Sequence, residues 1–99
     1  YATLNISGKV IAWDLAANTA IKTVATGKSA RSLAISSDGS SLFVVNFRSG
    51  TLSKVRTSDM TVIQNIKVCV EPIGVTFDSE TSRTWVACYG GSIKVFANQ

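Results

Sequence analysis

Histidine is absent from this sequence. That removes the commonest general base and the commonest zinc ligand. Cysteine is scarce: Cys69 and Cys88 are too few for a disulfide framework, and no histidine stands beside them to complete a metal site. Carboxylates number six, Asp14, Asp38, Asp59, Glu71, Asp78 and Glu80. Turns and strand ends account for five of these, and only Glu71 sits elsewhere, at the mouth of an inner strand. There is no G-x-S-x-G, no P-loop lysine motif and no C-x-x-C. No catalytic, cofactor-binding or metal-ligating residue is therefore expected. No apolar stretch approaches the ~20 residues that cross a bilayer as a helix, and no membrane span is expected. Proline occurs once, and no long run of Ala, Leu, Glu and Lys speaks for a helix.

What is present points to strands. Val, Ile and Thr are plentiful, and 45% of the residues are hydrophobic against 16% charged, so the chain is no disordered tail. The net charge is +4. The basic residues are spread singly, with none of the clustering a nucleic-acid footprint requires. They read as solubilising charges on outward-facing strand positions, and a nucleic-acid partner is not expected.

An internal repeat organises the chain. One constant offset carries Gly8 to Gly50, Val10 to Leu52, Trp13 to Val55, Ile21 to Ile63 and Val24 to Ile66. The same offset carries Gly27 to Cys69, Leu33 to Val75, Ile35 to Phe77, Phe43 to Trp85, Val44 to Val86 and Phe47 to Tyr89. After a one-residue deletion Gly50 matches Gly91. A period of about 40–50 residues built only from strands is the signature of a propeller. The expected class is all-β, in blades of four antiparallel strands termed A to D from the axis outward. In the complete repeat, A is expected near Arg31–Ser36, B near Ser41–Phe47, C near Thr51–Arg56 and D near Thr61–Val68. Asp38-Gly39 supplies a hairpin turn between A and B, and Thr57-Ser58-Asp59 a turn between C and D. Tyr1–Leu4, Lys9–Leu15 and Ala20–Ala25 align with B, C and D. Ile73–Asp78, Arg83–Tyr89 and Ser92–Phe96 align with A, B and C. The order BCD, ABCD, ABC amounts to about two and a half blades, with a partial blade over 1–26, a complete one over 27–68 and a partial one over 69–99.

Gly27 through Asn46 reads G-K-S-A-R-S-L-A-I-S-S-D-G-S-S-L-F-V-V-N. This resembles the YVTN-type β-propeller repeat, with Phe43-Val44-Val45-Asn46 where that family has its signature tetrapeptide. Glu71-Pro72-Ile73-Gly74-Val75 fits the same repeat well. Trp85-Val86-Ala87-Cys88 is a degenerate tetrapeptide and Tyr1-Ala2-Thr3-Leu4 a weaker one. Ile11-Ala12-Trp13-Asp14 ends strand C where the WD repeat places its Trp-Asp, but that family's hydrogen-bond network needs a histidine. Trp13 then reads as a packing aromatic and Asp14 as a turn residue.

The resemblance implies a superfamily of seven-bladed propellers that includes quinoprotein amine dehydrogenase and lactonase-like proteins. It implies an incomplete portion of such a ring, completed by the remainder of the propeller or by another protein chain. It also implies that the D–A and B–C loops share one face. That face would gather Lys28, Arg31, Asn46, Phe47 and Arg48 from one blade with Glu71 and Tyr89 from the next, a cluster suited to an anionic ligand, a peptide or a glycan. For each residue a plainer role competes: Phe47 and Tyr89 as blade caps, Arg31 as the partner of a nearby carboxylate. Cys69 and Cys88 fall on the same face. Pairing A with B sets Ile73 opposite Cys88, so Cys69 must fold back for the sulfurs to meet. Two separate thiols are the simpler expectation and a disulfide the alternative.

The function expected is that of a non-catalytic protein-interaction or ligand-binding segment. Many proteins of the YVTN type are exported or on the cell surface, which implies an extracytoplasmic location. The alternatives are part of a lactonase-like or quinoprotein-like enzyme whose catalytic residues lie on other blades, and a structural scaffold in a large assembly.

Overall fold

Alternation of apolar and polar residues, broken by turn residues, produces ten strands and no helix among the residues described by the computed structural model, which are 2–4, 8–14 and 19–97. The strands are β1 (Ala2–Leu4), β2 (Lys9–Asp14), β3 (Thr19–Ala25), β4 (Ala30–Ile35), β5 (Ser41–Asn46), β6 (Thr51–Arg56), β7 (Thr61–Lys67), β8 (Pro72–Asp78), β9 (Arg83–Cys88) and β10 (Ile93–Ala97). All neighbours pair antiparallel, in three sheets ordered β1-β2-β3, β4-β5-β6-β7 and β8-β9-β10. Strand positions agree with the repeat to within a residue or two at each end. Tyr1, Leu15 and the side chains of Trp13 and Asp14 lie outside what is described, and with them the roles expected of Trp13 and Asp14.

The repeat is written into the backbone as well as the side chains. The β4–β5 register shifts between Ala30 and Ser32, and the β8–β9 register shifts at the matching place one repeat later, between Pro72 and Gly74. The β2–β3 shift between Ala12 and Trp13 likewise recurs between Lys54 and Val55. Bulges bend a strand and raise its twist. Bulges at matching positions give successive sheets the same curvature, so that their faces can stack.

Stacking is what makes the core. All six residues of β5 are buried, because a strand with a sheet on either side has no solvent face. Alternate residues feed different interfaces. Leu42 and Val44 join Val10, Ala30, Val55 and Met60 between the first and second sheets. Phe43 and Val45 join Leu52 and Val86 between the second and third. There Phe43 stacks on Phe77 with ring centroids 5.6 Å apart and planes 6° from parallel, a pairing worth about 0.5–1.5 kcal/mol beyond the area it buries.

Polar turns close the strands at one end of the middle sheet. The Asp38 carboxylate accepts from the Ser40 backbone N–H at 3.0 Å, the Ser40 hydroxyl at 2.7 Å and the Ser36 hydroxyl at 2.8 Å. These donors favour the charged form and hold its pKa at about 2. On the β6–β7 turn Arg56 grips Asp59 through Nε and Nη2 at 3.1 and 2.7 Å, and Asp59 also falls to about 2. The Thr57 hydroxyl donates to the Gly39 carbonyl at 2.7 Å, locking the two turns together. Asp78 is lowered in the same manner by the Thr81 hydroxyl and the Glu80 backbone N–H.

Candidate binding face

The opposite end of the sheets is built from two kinds of segment. One is the connector from an outer strand to the next inner strand, residues 26–29 and 68–71. The other is the loop between the second and third strands, residues 47–50. The loop must pass close to the connector, and glycine makes the approach possible. Gly50 adopts φ 68°, and a Cβ there would lie 2.7 Å from the Cys69 carbonyl oxygen. Gly8, its counterpart one repeat earlier, stands in the same relation to the Gly27 carbonyl with φ 66°.

The connectors turn sharply at residues that are not glycine. Ser29 has φ 59°, and Glu71, its equivalent in the next repeat, has φ 57°. Each presents its carbonyl to the following loop: the Phe47 N–H donates to Ser29 O at 2.8 Å, and the Tyr89 N–H donates to Glu71 O at 3.0 Å. The left-handed conformation costs of order 1–3 kcal/mol in such residues, and the recurring hydrogen bond helps to offset it. The Arg48 N–H to Lys28 O and Lys28 N–H to Ser49 Oγ bonds complete the first junction.

Two different fastenings hold the connectors. At the first, Asn46 is fully buried. Its Oδ1 accepts from the Thr26 hydroxyl at 2.9 Å, and its Nδ2 donates to Thr51 Oγ1 at 3.1 Å and Ser53 Oγ at 2.9 Å. The Ser53 hydroxyl in turn donates to Asn65 Oδ1, with Thr26 O a second acceptor 3.3 Å away. Gly27 leaves the space for this amide, since a Cβ there would lie 2.8 Å from Asn46 Cγ. At the second junction Cys69 stands for Gly27 and Cys88 for Asn46. The two are joined by a disulfide with Cα atoms 6.4 Å apart. The simpler expectation of two separate thiols therefore gives way. The register explains how: Pro72, not Ile73, pairs with Cys88, the bulge passes over Ile73, and the positive φ of Glu71 folds the chain back far enough for the sulfurs to bond.

Between the fastenings lies a cavity of about 900 Å³ lined by Lys28, Phe47, Arg48, Ser49, Gly50, Lys67, Val68, Cys69, Val70 and Glu71. Lys28, Phe47, Arg48 and Glu71 of the expected face thus converge on one hollow. Arg31 places its guanidinium 4.9 Å from the centroid of Phe47, a cation–π contact that sets it beside the hollow and orders the ring. Tyr89 is 71% exposed and is tied to this region through its backbone bond to Glu71. Asn46, expected on the open face, is instead interior and structural. Lys67 and Val70 also line the hollow, and neither belongs to the face expected from the repeat. Lys67 closes an outer strand and Val70 follows a cysteine, and in neither case does the residue type announce its position on the rim.

No known family model matches this sequence, and no curated protein matches it. Solved structures do. Hydrazine synthase of Kuenenia stuttgartiensis superposes with a TM-score of 0.87 at 27% identity, over 91% of this chain and 26% of that one. The Cps50 (Swd1) β-propeller domain of Myceliophteria thermophila gives a TM-score of 0.79 at 15% identity, over 91% of this chain and 29% of that one. U3-55K gives 0.82 at 17% identity, over 92% and 30%. This chain therefore spans 26–30% of the length of these three structures. Sheets of three, four and three antiparallel strands stacked face to face, together with these likenesses, make the chain a set of β-propeller blades.

Proposed function

We propose that this chain is a non-catalytic binding segment of a β-propeller that takes a protein partner or ligand on its connector face. The observation that carries this reading is the convergence of loops from neighbouring sheets on a single hollow rimmed by Lys28, Arg48, Lys67 and Glu71. Cavities of this size that mix apolar lining with a few charged groups are where proteins most often bind other molecules. The lack of histidine supports a non-catalytic role. So does the engagement of Asp38, Asp59 and Asp78 in turns. The repeat is of the YVTN type, on the strength of the Gly27–Asn46 stretch. An extracytoplasmic location is supported by the Cys69–Cys88 bond, since such bonds persist in oxidising compartments.

The test is site-specific photo-crosslinking in the native host. Benzoylphenylalanine at Val70 should give a partner adduct, whereas the same group at Gln64, exposed on β7, should not. Adducts from Gln64 alone would sink the reading and favour a scaffold held by its outer strands. A second reading, part of a propeller enzyme, is favoured by the 27% identity to hydrazine synthase, of which this chain matches 26%. Chemistry would then lie on other blades, and substitutions at Lys28, Arg48 or Lys67 would leave turnover untouched.

A further inference from the structure

The hollow between the connectors carries unbalanced charge. Lys28, Arg48 and Lys67 line it against one carboxylate, Glu71. Among the described residues the ion pair joins Arg56 to Asp59, at the other end of the strands, so these three exposed cations are not neutralised from within. Beside them Val70 stands 80% exposed, with Val68 and Phe47 half-buried in the same lining. A small inorganic anion would satisfy the cations and leave this apolar surface in water. A nucleic-acid strand needs a continuous basic track and open aromatic faces. Here Phe47 already carries the Arg31 guanidinium, so its face is not open to a base.

We infer that the hollow takes an acidic peptide segment in which carboxylate side chains alternate with large apolar ones. The carboxylates meet Lys28, Arg48 and Lys67, an apolar side chain covers Val70 and Phe47, and Glu71 accepts a peptide N–H. The volume of about 900 Å³ holds several side chains at once. Charge complementarity at such a rim acts mainly on partner choice and association rate, so binding should weaken steeply with salt.

This inference rests on the connector face being the binding face. Its test is fluorescence anisotropy of the full chain with a fluorescein-labelled peptide of alternating glutamate and leucine. Arg48→Glu with Lys67→Glu should weaken binding by about tenfold or more, and Val70→Ser by several-fold, with near-UV circular dichroism unchanged in both. Equal binding of an alternating lysine–leucine peptide would overturn it. So would affinity unmoved by the variants, or tighter binding of a labelled single-stranded oligonucleotide. If Val70 still crosslinks a partner while the acidic peptide fails to bind, the peptide chemistry falls and the binding face stands. If neither occurs, both fall.

Discussion

The covalent fastening should be transferable to the other junction. Gly27 and Asn46 occupy, one repeat earlier, the positions of Cys69 and Cys88, with the same separation of 19 residues. A Cβ built on Gly27 lies 3.0 Å from the Asn46 Cβ, slightly inside the usual disulfide spacing of about 3.5–4.5 Å, so a small outward shift of the connector accommodates the bond. Asn46→Cys alone removes a buried amide and with it one partner each of Thr26, Thr51 and Ser53, a loss of about 1–3 kcal/mol. Adding Gly27→Cys and oxidising closes a loop whose chain-entropy effect is about 3 kcal/mol. The oxidised double variant should therefore return close to the parent, and the Asn46→Cys single variant should lie below it. With a urea dependence of about 1–3 kcal/mol per molar, the single variant's midpoint falls by roughly 1 M and the oxidised double variant recovers it. Non-reducing tryptic mapping supplies the direct readout: residues 23–28 should be linked to residues 32–48, alongside the native link between 68–83 and 84–94. Free thiols at 27 and 46 after air oxidation, with the native bond intact, would refute the equivalence of the two junctions.

Other substitutions probe other parts of the argument. Leu42→Ala empties a fully buried site between the first and second sheets and should lower stability by about 2–5 kcal/mol in urea melts. Gly39→Ala meets only the cost of its φ of 76°, about 1–2 kcal/mol, since nothing lies near its Cβ. Gly50→Ala adds a collision with the Cys69 carbonyl and should cost clearly more, and equal losses would deny the close approach. Asp38 and Asp59 both have folded pKa values near 2, below the ordinary 3.8. The stability they contribute is thus complete above about pH 4 and disappears as pH falls towards 2. Asp38→Asn with Asp59→Asn should flatten the acid limb of the stability profile over that window, read by circular dichroism in urea.

The repeat made much of this legible. Matching Phe43 to Trp85 and Val44 to Val86 located the central strands, and the structure explains the unbroken apolar run Leu42-Phe43-Val44-Val45 by burying that strand on both faces. Asp38-Gly39 announced its turn. The candidate face was less readable because its residues are sorted by side-chain direction across a seam, which periodicity does not encode. Asn46 looks like a loop residue, yet the glycine across from it draws its amide inward. The Cys69–Cys88 bond was hidden by one displaced register at Pro72–Gly74 and one positive φ at Glu71. Neither has a local signature in a glutamate, although Ser29 takes the same conformation in the preceding repeat.

The two fastenings also divide the chain mechanically. The seam held by Asn46 is closed by hydrogen bonds that can slip and re-form within the folded state. The seam held by Cys69 and Cys88 cannot lengthen past its covalent link without breaking it. Under a pulling force the connector after β3 should peel first, as a reversible catch, while the connector after β7 stays tied to the end of β9. In a reducing medium that ranking inverts, because the second seam has no polar network of its own to fall back on: Val68, Cys88 and Lys94 stand where Thr26, Asn46 and Ser53 make the first one.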